Sequence, residues 1–508
     1  MTRYEWPAPP RRRDNPEGRS LHLQQFRPSA NVTGPAGASA EAEQPSGAPA
    51  AAPVFADQPQ GADHLWFPIG PSVMVNGQAT GTPEVAGRIR DLQVEPDKGQ
   101  RVYAASASGG VWYSSDRGAS WRPLDEFVQS PNRNTLTPVG NALACGAIQV
   151  FWGAADDGSL DEVWVGTGEY GGAGGLPGGK LAGIGILHAI GPAAGTAWET
   201  EDNPLPPRGT AVFRIANDPA RANQLVAGTT DGLYVSPLGG PWTKAAPWDA
   251  AAGNYPLDVV LTRPDPGHAR VWVATYGKLF VAEFAGDTTA PITPGTLTFQ
   301  PVTLPSAEAL FVQLAKSADG ARLYVLGLRK KRDKETAPVA HLWAVDPTVA
   351  SSALATLQAT ELPGLPPQMF MSTGDQSWYD MCITVHPDVP SRIYVGGAAV
   401  KIDGEYNGAI YRCETTASAV TPTLIGEGVH SDVHVLRVGP KADNTATDRT
   451  VWVGCDGGVF RSDAGGDAKT FRSRNDGLAV LEPGYVASHP TNNFYPGCRF
   501  CLSSLVVL

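Results

Sequence analysis

Several short stretches gather side chains that could do chemistry. In "VHSDVHVL" His430, Asp432 and His434 stand at every second position, and in "SWYDMC" Tyr379 adjoins Asp380. "GRIRD" carries Arg88, Arg90 and Asp91, while Glu169 lies in the glycine-rich "TGEYGG" and Asp258 opens "DVVLTRPDP". Two carboxyls about 5 to 9.5 Å apart suffice for glycoside hydrolysis, and Asp380 with Asp432 is the pair to test for catalytic roles. The imidazoles raise metal binding as a second chemistry. On a regular strand His430, Asp432 and His434 share a face, but the two histidines then lie about 13 Å apart. Bonds from ligands to zinc are about 2.0 to 2.2 Å, so no metal and no other cofactor is expected. What remains is ligand contact: Arg88, Arg90, Glu169, Asp258, Tyr379, His430 and His434 offer the hydrogen bonding and stacking that suit a glycan or a protein.

These residues fall where strands begin. "RVYAASASGGVWYSS" from Arg101 recurs as "QLVAGTTDGLYVSP" from Gln224, "RVWVATYGKLFVAE" from Arg270, "RIYVGGAAVKIDGEYNGAIYRC" from Arg392 and "TVWVGCDGGVFRSD" from Thr450. A longer variant starts at Glu162. Each copy reads as a hairpin with apolar residues at every second position, preceded by a short strand that often ends in a Pro turn. Strand starts near residues 88, 144, 209, 255, 308, 379 and 432 mark seven units of a size that suits four-stranded blades. The fold class is therefore all-β, a β-propeller of about seven four-stranded blades preceded by a disordered leader. In such a ring the first strand of each blade lines the channel, which would bring the polar strand starts, with Cys145 and Arg208 among them, to one mouth. "WFPI" at Trp66 is a candidate outer strand for closing the ring.

The limits of the domain follow from composition. Residues 1–62 are rich in Pro, Ala and Gly without periodicity and form the expected leader. Residues 63–490 form the propeller and 491–508 an atypical tail, and a further repeat that opens with "GYVASHPTNN" at Gly484 stays incomplete. Gly 58 and Pro 45 fit a protein of many turns. Six cysteines fit reduced thiols, and the single C-x-x-C of Cys498 and Cys501 has no second pair with which to build a zinc site. The net charge of -11 disfavours nucleic acid and anionic membranes. The basic run Arg329 to Arg332 reads as a solvated hairpin tip. No apolar run is long enough to span a bilayer, and no signal-like segment opens the chain, so a cytoplasmic location, or export by another route, is expected.

One further motif needs a reading. In "SSDRGASW", Ser114, Asp116, Gly118, Ser120 and Trp121 follow the pattern Ser, any, Asp, any, Gly, any, Ser or Thr, Trp. Asp116 can accept turn N–H groups, Gly118 can supply a positive φ and Trp121 can pack between blades, so the motif reads as structural. It resembles the Asp-box of the bacterial neuraminidase repeat, a likeness that implies a turn between the two outer strands, away from the ligand face. "SPLGGPW" from Ser236 and "SDAGGDAKTF" from Ser462 are worn copies. Across roughly residues 66 to 491, "GRIRDLQVEP", "SWYDMCITVHPDVPSRIYVGG" and "HSDVHVLRVGP" resemble the bacterial sortilin-like and photosystem-assembly-factor-like propellers, which are often labelled glycosyl hydrolases. Members continue past "YVASHPTN" with a Gln-Asp-Asn-Gly segment, where this chain departs. The sialidase likeness implies an Arg-Ile-Pro motif, but "FRIAND" has Ala216 at the Pro position. Likeness to the xyloglucan-active propellers implies an Asp before the first Gly-Gly hairpin, where Ala107 and Ser108 stand. Two functions stay open: recognition of a glycan or protein at the channel mouth without catalysis, or glycoside hydrolysis by a carboxylate pair on the same face.

Overall fold

The computed structural model describes residues 73–124, 143–170, 180–196, 198, 206–218, 221–236, 241–245, 255–285, 292–293, 295, 297–305, 309–329, 339–366, 369, 379–480, 483–488 and 494–498. Seven antiparallel sheets form a ring. Their first strands are Ile89–Val94, Cys145–Phe151, Val212–Asp218, Asp258–Asp265, Ala309–Lys316, Cys382–Val385 and Val433–Lys441. Each inner strand packs on that of the next blade, and the seventh packs back on the first. Six sheets have four strands in sequence order, and the second shows three among the described residues, Cys145–Phe151, Glu162–Thr167 and Ile186–Ile190. Beyond the ring, Pro483–Ser488 pairs with Phe494–Cys498. The further repeat opened by "GYVASHPTNN" thus has two paired strands among the described residues.

The core lies between blades. Trp272, Trp343 and Trp452 are among the largest fully buried side chains, each on a middle strand. At the seam Val435, Trp452 and Val459 of the seventh blade share a cluster with Ile89, Leu92 and Trp112 of the first. A segment ahead of the first blade reinforces this closure. Ala86 N donates to Gly457 O (2.9 Å), and Ser473 Oγ and Asn475 Nδ2 both donate to Glu84 O (2.7 and 3.1 Å). The "WFPI" at Trp66 lies outside the described residues.

The Ser114–Trp121 turn joins the third strand of the first blade, Val111–Ser114, to the fourth, Arg122–Pro123. Ser114 Oγ accepts from Gly118 N (2.8 Å) and donates to Asp116 Oδ1 (2.8 Å). Asp116 in turn accepts from Ser120 N (2.9 Å) and Ser120 Oγ (2.5 Å). Burial works to raise the Asp116 pKa, but the hydrogen bonds from Ser120, Ser114 and Ala119 outweigh it and hold the carboxyl below its usual range. Gly118 sits at φ 75°, and a Cβ there would stand 2.9 Å from the Trp452 ring. Trp121 Nε1 reaches across the seam to Arg474 O at 2.7 Å. At Ser462 the geometry repeats, with Gly466 N donating to Ser462 Oγ at 3.0 Å and Phe471 buried in the position of Trp121. Most of the copy at Ser236 lies outside the described residues.

Candidate functional site

A four-stranded meander sends its connections to two ends. The links into each first strand and the turns between second and third strands share one end, here called the upper mouth. The Ser114–Trp121 turn, between third and fourth strands, lies at the other. The upper mouth collects residues from four blades. Arg88 and Arg90 flank the start of the first blade's inner strand. Glu169 follows the second strand of the second blade, in a short pairing of Glu169–Tyr170 with Lys180–Leu181. Tyr379 and Asp380 precede the sixth blade, and Asp432 with His434 stands at the start of the seventh.

Glu169 is the hub. Its Oε1 lies 3.3 Å from both Arg88 Nε and Arg90 Nε, and it accepts the Tyr379 hydroxyl. The Arg90 guanidinium also stacks over the Tyr379 ring at 4.4 Å. Arg90 Nη1 stands 2.7 Å from His434 Nδ1, and His434 Nε2 stands 2.7 Å from Asp456 Oδ1. An arginine can only donate, so these partners assign the proton to Nε2 and leave Nδ1 as an acceptor. Burial first, and then the nearby Arg90 charge, lowers His434 to about 4, in keeping with a neutral ring.

The carboxyls respond in the opposite direction. Asp380 is fully buried, and burial followed by the charges of Asp432 and Asp456 raises its pKa well above the usual range. Asp380 Oδ1 lies 3.4 Å from the unprotonated His434 Nδ1, a contact that is repulsive unless Asp380 carries a proton. Burial and then Asp456 push Asp432 up to about 7, partly offset by its neighbours Asp380 and Ser431. Asp380 thus keeps its proton beside the neutral His434, and neither of its oxygens has a hydrogen-bond partner among the described residues.

The "VHSDVHVL" segment departs from the regular strand expected of it. The strand begins only at Val433, and Asp432 has φ 61° in the left-handed region, which Asp tolerates better than most residues. Its N–H donates to Ala398 O at 2.7 Å, and its own carbonyl accepts from Asp456 N at 3.1 Å. His430 packs beside Gly457, its Nδ1 3.0 Å from Ser431 O, and burial lowers its pKa. Among the described residues no group of three or more His, Cys, Asp or Glu is arranged to hold a metal ion.

Of the residues picked from sequence, Arg88, Arg90, Glu169, Tyr379, Asp380, Asp432 and His434 form this one cluster, with His430 at its edge. Asp258 is engaged elsewhere. Its oxygens accept from Val259 N and from Leu314 N of the fifth blade (both 2.9 Å), and Arg214 Nε of the third blade lies 3.5 Å away. Asp91 repeats this three-blade clamp, accepting from Ile148 N (3.1 Å) of the second blade and Arg437 Nη2 (2.5 Å) of the seventh. Sequence reasoning missed Asp456, on the turn of "CDGGVF", because apart from Glu169 it considered the starts of first strands. Turns from second to third strand reach the same end, and that rule would have found it.

No family model matches the chain, and no curated protein does. Solved structures do match. A xyloglucanase of family GH74 from Xanthomonas campestris aligns at 16% identity and TM-score 0.53, over 84% of this chain and 59% of that one. An ancestral GH74 enzyme aligns at 15% identity and TM-score 0.49, over 83% and 50% of the two chains. YCF48 from Cyanidioschyzon merolae aligns at 14% identity and TM-score 0.44, over 74% and 96%. The chain thus spans less than two thirds of either GH74 enzyme, and what it shares with the xyloglucanase is the β-propeller fold.

Proposed function

We propose that the chain is a ligand-recognition propeller, binding a glycan or a protein at the upper mouth without catalysing a reaction on it. One observation carries this reading: Asp380, half of the candidate carboxylate pair, is 0% exposed, with Oδ1 3.4 Å from His434 Nδ1. Glycoside hydrolysis needs two carboxyls held about 5 to 9.5 Å apart on either side of the scissile bond. A carboxyl sealed beneath the mouth does not reach that bond. The cluster instead supports a stiff mouth, with Glu169 tying the first, second and sixth blades together.

Hydrolysis stays as a second reading because of Tyr379. A phenol donating to a buried carboxylate is one way to build a nucleophile–base pair, and sialidases use a Tyr nucleophile. Burial and then the Glu169 charge raise Tyr379 well above its usual pKa, which opposes that role. The test is to apply the full chain to a glycan array and to immobilised peptides, reading both retained protein and released product. Binding without product, weakened by Asp432→Asn, supports recognition. Product release that falls about 100-fold or more in Asp380→Asn, Asp432→Asn or Tyr379→Phe overturns it, since acid and base roles each contribute about 10² to 10⁴.

A further inference from the structure

The mouth has a second half, made of aromatic residues. Tyr170 directly follows Glu169; Phe213 and Phe311 open the first strands of the third and fifth blades; Tyr255 precedes the fourth blade, and Tyr276 sits on its turn from second to third strand. All five therefore stand at the upper end. Their ring centroids follow one another at 5.4 Å (Tyr170 to Phe213), 6.0 Å (Tyr170 to Tyr255), 6.2 Å (Tyr255 to Tyr276) and 4.8 Å (Tyr276 to Phe311). Neighbouring planes are inclined by 53° to 65°, so the rings make a curved lining rather than a stack. The Tyr170 and Tyr276 hydroxyls are 3.2 Å apart, joining the second blade to the fourth.

The two halves differ in access and in charge. Arg88, Glu169 and Asp380 are 4%, 1% and 0% exposed, whereas Tyr170, Phe213, Tyr255 and Tyr276 each keep part of their surface open. The charged groups of the ionic half are paired with one another, both arginines on Glu169 and His434 on Asp456. A charged ligand would have to break those pairs. A peptide brings an N–H and a C=O at every residue, each needing a partner once buried. The arc's own polar side-chain atoms are three phenol oxygens, two of them bonded to each other.

Resting on the recognition reading above, we infer that this aromatic arc is the ligand-contacting surface of the mouth and that its ligand is a neutral oligosaccharide. A pyranose presents a face of C–H bonds, slightly positive, to the negative face of a ring. Its hydroxyls can stay in water at the rim or reach the tyrosine oxygens. Glu169 and Tyr170, adjacent in sequence, fasten the rigid ionic half to the arc.

The full chain would be titrated by calorimetry with maltohexaose, cellohexaose, xylohexaose and mannohexaose, and with a sialylated trisaccharide and a proline-rich peptide for comparison. At least one neutral hexaose is expected to bind, the sialylated sugar more weakly. Tyr276→Ala and Tyr255→Ala should each weaken binding by about tenfold, while Tyr276→Phe and Tyr255→Phe stay within about threefold of the wild type. Tyr255→Leu, which keeps apolar bulk, serves if an alanine variant misfolds. No binding by any neutral hexaose, or binding unchanged in both alanine variants, overturns the inference. Peptide binding without sugar binding sinks it while leaving recognition at the mouth intact. A hexaose that binds through the tyrosines but is cleaved upholds the arc and overturns the non-catalytic reading.

Discussion

The Ser114–Trp121 turn and the upper mouth are both dense in polar side chains, yet they are built in opposite ways. In the turn, Ser114, Asp116 and Ser120 satisfy one another within seven residues, and each hydrogen bond spans four positions or fewer. At the mouth, Tyr379 reaches Glu169 across 210 positions of sequence and Arg90 reaches His434 across 344. A local motif of this kind fixes a turn. A cluster assembled from distant strands depends on the whole ring, and every blade that contributes to it is tied to the others.

That contrast sets the order of expected effects. Glu169→Ala should be the most damaging, leaving two buried or partly buried guanidiniums and the Tyr379 hydroxyl short of their shared acceptor. Breaking a buried ion pair costs about 3 to 5 kcal/mol, readable as a large drop in chemical-denaturation midpoint. Next comes Asp116→Ala, with a loss of about 1 to 3 kcal/mol and unchanged ligand affinity per folded molecule. If that variant bound more weakly at unaltered melting temperature, the assignment of the two ends would be reversed.

The smallest effect is in pH dependence, where two mouth groups oppose each other. Asp432 titrates at about 7 in the fold against 3.8 for the free group, so its contribution is full below about 4 and is lost as pH rises through 7. His434 titrates at about 4 against 6.5, so its contribution is full above about 6.5 and is lost as pH falls through 4. Between pH 4 and 6.5 these two slopes offset, and Asp380, also raised, adds a fall with pH. Melting temperature followed across pH 4 to 8 should therefore fall less steeply with pH over that window in Asp432→Asn than in the wild type, and more steeply in His434→Gln. Parallel profiles for the two variants would mean that these groups do not titrate as the geometry requires.

Much of the ring was legible in the sequence. The inner strands begin within about three residues of the expected starts, because period-two apolar runs ending at Gly or Pro turns are local signals. The Ser114–Trp121 turn was legible for the same reason. Less visible was the role of each polar residue: Asp258 and Glu169 are both acidic residues next to β-runs, yet one clamps three blades and the other ties the mouth together. Only the ring's closure decides between those outcomes. The aromatic arc was missed because Tyr170, Tyr255 and Tyr276 sit on connections of differing length, with no shared spacing to announce them. Asp432 shows another limit, since its left-handed backbone ended the alternation that "VHSDVHVL" suggested.

The most direct test is a crystal structure of the full chain with an oligosaccharide at the upper mouth, measuring the separation of the Asp380 and Asp432 carboxyls. The account predicts that no part of the ligand comes between them, Asp380 staying buried and the ligand lying outside on the aromatic side. Carboxyls parted to about 5 to 9.5 Å around a glycosidic oxygen would contradict it and make the mouth an active site.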